Sequence, residues 1–270
     1  MDLFFLCLLV MIIAPWFYNP LTVTSYNLDF AKLPSNFNGF KIAVIADLHS
    51  HRFGRNQEIL IQRILNQEPD IIVLAGDIID KNDRDITNVQ DLLRGISAAD
   101  HPPIYSIPGN HDFMNKMIFG DLLALYRDYN INFIYGDTVL IEREGQLIAL
   151  SSAELKNCEP EDSYSIDESP VPDYKDEFNI LLHHYGNEFD LISDEYDLVI
   201  SGHVHGGLIR FFGRGLINTV IRKPFFPKYS KGVYRKESGS VMVLSAGLGN
   251  AIIPRINNPR EIVIITLNTL

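Results

Sequence analysis

The sequence has few cysteines and no repeats. Only Cys7 and Cys158 occur in 270 residues. That excludes a disulfide framework, and their spacing excludes a thiolate metal site. No self-similar period is present, which excludes solenoids and propellers. Basic residues number 23 against 34 acidic ones, a net charge of −11, and this balance excludes general nucleic-acid affinity. Asp2 is the only charged side chain before Asp29, and the first basic one is Lys32. The positive-inside rule therefore has nothing to count near the N-terminus, so the side of the membrane is not readable.

What is present begins with Leu3 to Tyr18, which is nearly unbroken apolar sequence. It is just short of the ~18–20 residues that span a bilayer comfortably. It lacks the basic n-region and small-residue cleavage site of a signal peptide. Trp16, Phe17 and Tyr18 have the composition of an interfacial aromatic belt. Residues 1–20 are therefore expected to form an uncleaved hydrophobic helix that anchors the chain. A second unusual stretch runs from Arg210 to Lys236. It holds eight basic residues and no acid, together with Phe211, Phe212, Phe225, Phe226 and Tyr229. Basic plus aromatic composition suits contact with anionic lipid or a phosphorylated amphiphile; a solvated loop face is the equal alternative.

From residue 21 the chain alternates apolar runs with helical spacing. Leu21 to Phe30 reads as an edge strand, and Lys41 to Ala46, Ile71 to Ala75 and Ile104 to Ile107 read as buried strands. Helices are expected over Asn56 to Asn66, Thr87 to Ser97 and Asn115 to Tyr129. The alternation implies parallel strands with helical crossovers. From Asn132 to Leu150 short runs broken by Gly136-Asp137 and Glu144-Gly145 read as hairpins. Glu154 to Glu177, with nine acids and three prolines, reads as a surface loop. Phe178 to Leu182, a short helix near Glu188 to Ser193, and Asp197 to Ile200 return to strand–helix–strand order. Gly232 to Tyr234, Val241 to Ser245 and Glu261 to Leu267 read as closing strands. This order predicts an α/β fold, a four-layer α-β-β-α sandwich of two mixed sheets with outer helices.

The apolar runs end in metal-binding chemistry. Ile42 to Ala46 ends in Asp47-Leu48-His49, Ile71 to Ala75 in Gly76-Asp77, and Ile104 to Ile107 in Pro108-Gly109-Asn110-His111-Asp112. Phe178 to Leu182 ends in His183-His184, and Leu198 to Ile200 in Ser201-Gly202-His203-Val204-His205-Gly206-Gly207. Ligands in open α/β sheets collect at such strand ends. Turn and cap chemistry could explain any one of these residues, but not all of them together. Mixed nitrogen and oxygen donors suit Mn²⁺, Fe or Zn²⁺ better than Ca²⁺ or Mg²⁺. Six or seven ligands are too many for one catalytic ion and suit two, and a carboxylate at Asp77 can bridge a pair. His184, next to His183, is expected to point the other way, into a structural or pocket-wall role. His51 faces either substrate or solvent. His101 reads as an exposed loop residue, and Arg52 and Arg55 read as solvated residues at a helix start.

These five blocks, in this order between residues 47 and 205, resemble the signature of the calcineurin-like metallophosphoesterases. The resemblance implies that Asp47, His49 and His205 hold one divalent ion, that Asn110, His183 and His203 hold the other, and that Asp77 bridges them. It implies a hydroxide between the ions as nucleophile, His111 as general acid to the leaving oxygen, and Asp112 as the residue that orients His111. The N-terminal anchor, Phe37-Asn38-Gly39-Phe40-Lys41-Ile42 and Ser245-Ala246-Gly247-Leu248-Gly249 further resemble a bacterial branch of membrane-associated phosphodiesterases that includes UDP-2,3-diacylglucosamine hydrolases. The expectation is a phosphodiesterase or pyrophosphatase over residues 21–270. Its phosphoester substrate would be lipid-linked or membrane-associated, and the membrane would be met through residues 1–20 and the 210–236 stretch. A phosphomonoesterase of the same fold, or a non-catalytic membrane-tethered binding module, is the alternative.

Overall fold

A computed structural model describes residues 18–98, 101–155, 170–217, 225–250 and 253–270. The anchor expected over residues 1–20 lies almost wholly outside them, as do residues 156–169 of the acidic loop. Among the described residues no helix is long and apolar enough to cross a membrane.

Two six-stranded mixed sheets face each other. The first is ordered β1 (Leu21–Phe30), β14 (Arg260–Thr269), β2 (Phe40–Ile45), β3 (Ile71–Ala75), β4 (Ile104–Ile107) and β5 (Asn132–Phe133). Only β14 and β2 run antiparallel. The second is ordered β12 (Gly232–Arg235), β13 (Val241–Leu244), β9 (Leu198–Gly202), β8 (Phe178–Tyr185), β7 (Gln146–Ser152) and β6 (Thr138–Arg143), parallel in its centre and antiparallel at both edges. A small hairpin, β10 (Arg210–Phe211) and β11 (Arg214–Gly215), stands outside both sheets.

The inner strands are apolar on both faces because both faces are covered. Ile42, Val44, Val73, Phe178, Ile180, Leu182, Ile200 and Val243 meet between the sheets. Ala43, Ile45, Ile72 and Leu74 point to the outside of the first sheet. There they pack under α1 (Glu58–Leu65), α2 (Thr87–Ile96) and α4 (Phe119–Asp128) through Leu60, Ile64, Leu92, Leu93 and Leu122. Each such side chain contributes ~1.5–3 kcal/mol on full burial.

Among the described residues the outer layers are unequal, which corrects the expectation of helices on both sides. Leu181, Val199, Met242 and Leu244 are covered by Phe189, Ile192 and Tyr196. The helical part of that cover is a 3₁₀ segment, Gly186–Leu191, rather than an α-helix. The helix expected over Asn115 to Tyr129 is found as α4 and begins four residues later, at Phe119. A five-residue α3 (Asn110–Met114) precedes α4, and Asn115 ends it with φ −83° and ψ 81°. The parallel strands β2, β3, β4, β8 and β9 all deliver their C-terminal ends to one edge of the sandwich, where the long loops lie.

Candidate metal centre

All the predicted ligands but His183 converge at that edge. Asp47 and His49 follow β2, Asp77 follows β3, and Asn110 opens α3 directly after β4. His203 and His205 follow β9. Asp47, His49, Asp77, His203 and His205 all have positive φ, between 46° and 77°. Non-glycine residues there carry ~1–3 kcal/mol of strain each and cluster at functional sites. The loops are held in this shape from behind. The Gln57 side chain donates to His51 O and accepts from Phe53 N, Asn88 donates to Ser50 O, and Asn115 donates to Asp80 O and Asp83 O.

Three sets of potential ligand atoms each fall within 4.8 Å of one another: Asp47, His49 and His205; His49, Asp77 and His111; and Asp77, His184 and His203. Asp77 belongs to two of them. His49 Nε2 and His205 Nε2 face each other at 3.3 Å. His184 Nε2 lies 3.2 Å from Asp77 Oδ2 and 4.0 Å from Asp47 Oδ1. Asn110 Oδ1 is buried without a hydrogen-bond partner. Buried polar atoms are seldom left so, and a cation at this edge would account for it. Aspartate, asparagine and imidazole donors around one shared carboxylate fit a pair of divalent ions.

The electrostatics favour cation uptake. Burial opposes charge on His184, but the carboxylates of Asp77 and Asp47 outweigh it and push its pKa up to about 10. Burial also opposes ionisation of Asp77, yet His184 overrides it and holds that carboxyl far below the usual range. Burial pushes Asp47 up, against the pull of His184. Burial and the neighbouring cationic histidines push His203 down to about 3 and His205 well below its ordinary value. Both therefore present lone pairs.

The backbone makes room at two glycines. A Cβ at Gly109 would fall 2.2 Å from Asp77 Oδ1, and one at Gly247 (φ +70°) would fall 2.6 Å from Asp47 Cβ. The 246–249 loop is fastened by Arg255, which is buried and donates to Ala246 O and Gly249 O at 2.6 and 2.8 Å. Glu261 accepts from Ala246 N at 2.7 Å.

Two expectations are corrected. His183 does not join the cluster; its Nε2 meets Glu188 Oε2 at 2.7 Å in a fully buried pair. Strand β8 runs on to Tyr185, and side chains alternate along it. Phe178, Ile180 and Leu182 face the inter-sheet core, Leu181 faces the outer layer, and His183 points away from the cluster that His184 joins. Asp112 does not orient His111. It accepts the N–H groups of Gly109 (2.8 Å) and Ile79 (2.9 Å), so it ties two strand-end loops together. Burial and the nearby Asp77 push its carboxyl up to about 6.

His111 Nδ1 is paired instead with Asp80 Oδ2 at 2.9 Å, and Asp80 also lies 3.5 Å from His49 Nδ1. His111, and next His49, hold Asp80 well below the usual carboxylate range. Sequence reading missed Asp80, Arg255 and the ligand position of His184. The period-two pattern from Phe178 and the three-residue step from Asp77 to Asp80 were the available signals. His51 sits half-buried beside this edge, its charge disfavoured first by burial and then by Arg260 and Arg255.

The calcineurin-like phosphoesterase family model matches residues 40–207. The chain is similar to an uncharacterized metallophosphoesterase of Aquifex aeolicus, 27% identical over 256 residues that cover 92% of each chain. It is 28% identical over 261 residues to the uncharacterized metallophosphoesterase YkuE of Bacillus subtilis, covering 91% of this chain and 85% of that one. It is 26% identical over 203 residues to the phosphodiesterase YaeI of Escherichia coli, covering 71% and 67%. Among solved structures, a dimetal phosphatase from Danio rerio aligns over 78% of this chain and 88% of its own, with 12% identity and a TM-score of 0.47.

Proposed function

The chain belongs to the calcineurin-like phosphoesterase family, and we propose that it is a dinuclear-metal phosphodiesterase or pyrophosphatase acting on a membrane-associated, lipid-linked phosphate. The observation that carries the dinuclear reading is the position of Asp77, whose carboxylate groups with His184 and His203 on one side and, on the other, with His49, which itself groups with Asp47 and His205. In this reading Asp47, His49, His205 and Asp77 hold one ion, and Asp77, Asn110, His184 and His203 hold the other. Two bound divalent ions, Mn²⁺, Fe or Zn²⁺, would activate water and withdraw charge from the phosphoryl oxygens.

The chain's own groups supply the rest. Asp80 holds His111 by Nδ1, leaving Nε2 to protonate the departing oxygen as general acid. The His111 backbone N–H donates to Asp77 Oδ1 at 2.7 Å and fixes the imidazole's distance from the shared carboxylate. Asp112 acts one step back, by holding the Gly109 and Ile79 turns. The diester preference is favoured by the likeness to a protein named a phosphodiesterase. The lipid-linked substrate, with UDP-2,3-diacylglucosamine as its type, is favoured by the apolar Leu3–Tyr18 run and the 245–249 phrase.

Full-length protein loaded with Mn²⁺ should cleave bis-p-nitrophenyl phosphate faster than the monoester, and should release UMP from UDP-2,3-diacylglucosamine. His111→Ala should keep its metal and lose ~10²–10⁴-fold in kcat. Absence of turnover with Mn²⁺, Fe²⁺ and Zn²⁺ alike would contradict the hydrolase. A monoester rate above the diester rate would make it a phosphomonoesterase.

A further inference from the structure

Phe212 and Phe226 are the two most exposed phenylalanines among the described residues, at 90% and 76%. Both have left-handed backbone, with φ 46° and 53°. Phe212 and Gly213 (φ 77°) form the two-residue turn between β10 and β11. Positive φ at both turn positions is the geometry that Asn-Gly or Gly-Gly fills most cheaply. A phenylalanine there adds strain and gains no burial, so folding does not explain it. Phe211 packs edge-on to Phe212 at 4.3 Å. The chain then runs on from Arg214 to Ile217, which bridges Phe225, while Phe226 N donates to Leu216 O. At ~3.3 Å per residue the two aromatic ends are about 10 Å apart along this strand.

We propose that these phenylalanines form a wedge that enters the interfacial zone of a lipid bilayer and sets the metal centre at the bilayer surface; this deepens the membrane-associated reading above and rests on it. Three observations choose a bilayer as the occupant.

First, the apolar Leu3–Tyr18 run joins the described fold beside the hairpin. Asn19 Nδ2 donates to Arg255 O and Asn19 Oδ1 accepts from Asn258 N, while Ile256 in the same segment bridges Ile209 and accepts from Arg210 N. Asn19, the start of the described fold after that run, and the hairpin are thus both fastened to the 255–258 segment.

Second, three of the basic side chains of this stretch are already paired with acids of the fold. Lys228 meets Asp190 at 2.7 Å, Lys236 meets Asp194 at 2.9 Å, and Lys231 is paired with Glu261. Arg210 donates to the carbonyls of Gly206 and Gly213. Beside them Phe211, Phe212, Phe225 and Phe226 stand exposed, and aromatic rings favour the membrane interface with little need of charge.

Third, the hairpin is fixed to the metal loop. Ile217 N donates to Gly207 O at 3.2 Å, Arg210 donates to Gly206 O at 2.7 Å, and a Cβ at Gly207 would fall 2.6 Å from Gly215 Cα. The height of the hairpin in a bilayer therefore fixes the height of His203 and His205.

The test uses full-length protein with Trp16→Phe and Phe212→Trp, so that position 212 carries the sole tryptophan, in vesicles of phosphatidylcholine with and without dibrominated acyl chains. A side chain within ~10 Å of the headgroup boundary should shift its emission to the blue and lose roughly half its intensity to the bromines. The loss should be equal when a quarter of the lipid is phosphatidylglycerol. Phe226→Trp in the same background gives a second reading, and Leu140→Trp, on edge strand β6, should stay unquenched. Unquenched tryptophan at both 212 and 226 in vesicle-bound protein would overturn the proposal. So would failure of the protein to bind vesicles, quenching only with phosphatidylglycerol, equal quenching at 140, or a blue shift without lipid, which would signal a second copy of the chain instead. No readout involves hydrolysis, so this proposal and the hydrolase reading can fail separately.

Discussion

His184 Nε2 stands 3.2 Å from Asp77 Oδ2, while its neighbour His183 makes a buried 2.7 Å pair with Glu188 on the other side of the same strand. The two histidines should therefore fail differently. His184→Ala removes a metal donor and should lower bound Mn²⁺ from two ions per chain toward one, with kcat falling at least ~10²-fold. His183→Ala removes the buried partner of Glu188 Oε2 and should lower stability by ~3–5 kcal/mol. Those molecules that remain folded should keep their metal. Metal analysis and denaturant melts on the two variants separate these outcomes.

Asp80 is predicted to position His111 rather than to bind metal. Asp80→Asn should leave metal content unchanged and lower kcat by roughly 10–100-fold. In the proposed mechanism His111 protonates the leaving oxygen, so the loss should shrink with a substrate whose leaving group is a weaker base. An equal loss across leaving groups would assign Asp80 a structural role only.

Metal uptake should release protons. In the metal-free protein Asp77 and Asp47 push His184 up to about 10 against the opposing effect of burial, so it is cationic at pH 7. It must lose that proton to become a ligand. Apparent Mn²⁺ affinity should rise about tenfold per pH unit between pH 6 and 9 for each proton displaced. Calorimetry in buffers of different ionisation enthalpy counts those protons. The same shift acts on metal-free stability. A raised histidine pKa contributes stability that is complete below ~6.5 and is lost as pH rises toward 10. The metal-free melting temperature should therefore fall across that window.

Gly247 sits at φ +70°, and a Cβ there would lie 2.6 Å from Asp47 Cβ. Gly247→Ala must move either the loop or the ligand. It should cost ~2–4 kcal/mol and reduce metal occupancy. By contrast Gly145→Ala, also at positive φ (78°) but with nothing within 4 Å, should cost only ~1–2 kcal/mol and leave metal binding intact.

The buried runs of β2, β3, β4, β8 and β9 were legible because strands covered on both faces must be apolar along their whole length. The ligands were legible because Asp, Asn and His recur where those runs stop. What was not legible depended on where each run stops. β8 continues to Tyr185 instead of ending at Leu182, and that places His184 at the site and His183 away from it. Asp80 lay in a segment that reads as an ordinary charged loop; only the fold brings it to His111, 31 residues later. Arg255 carried no local signal, since its partners Ala246 and Gly249 use backbone carbonyls that any residue supplies. The 3₁₀ cover of the second sheet had the apolar spacing of a short helix, which pattern alone does not distinguish from an α-helix.

A dinuclear centre requires Asp77 to lie between two cations. Electron paramagnetic resonance of the Mn²⁺-loaded full-length protein, with manganese quantified on the same sample, tests this most directly. Two manganese ions per chain and the multiline spectrum of an exchange-coupled pair are expected, which Asp77→Asn should reduce to an uncoupled six-line signal. One ion per chain, or two that remain uncoupled in the unsubstituted protein, would contradict it.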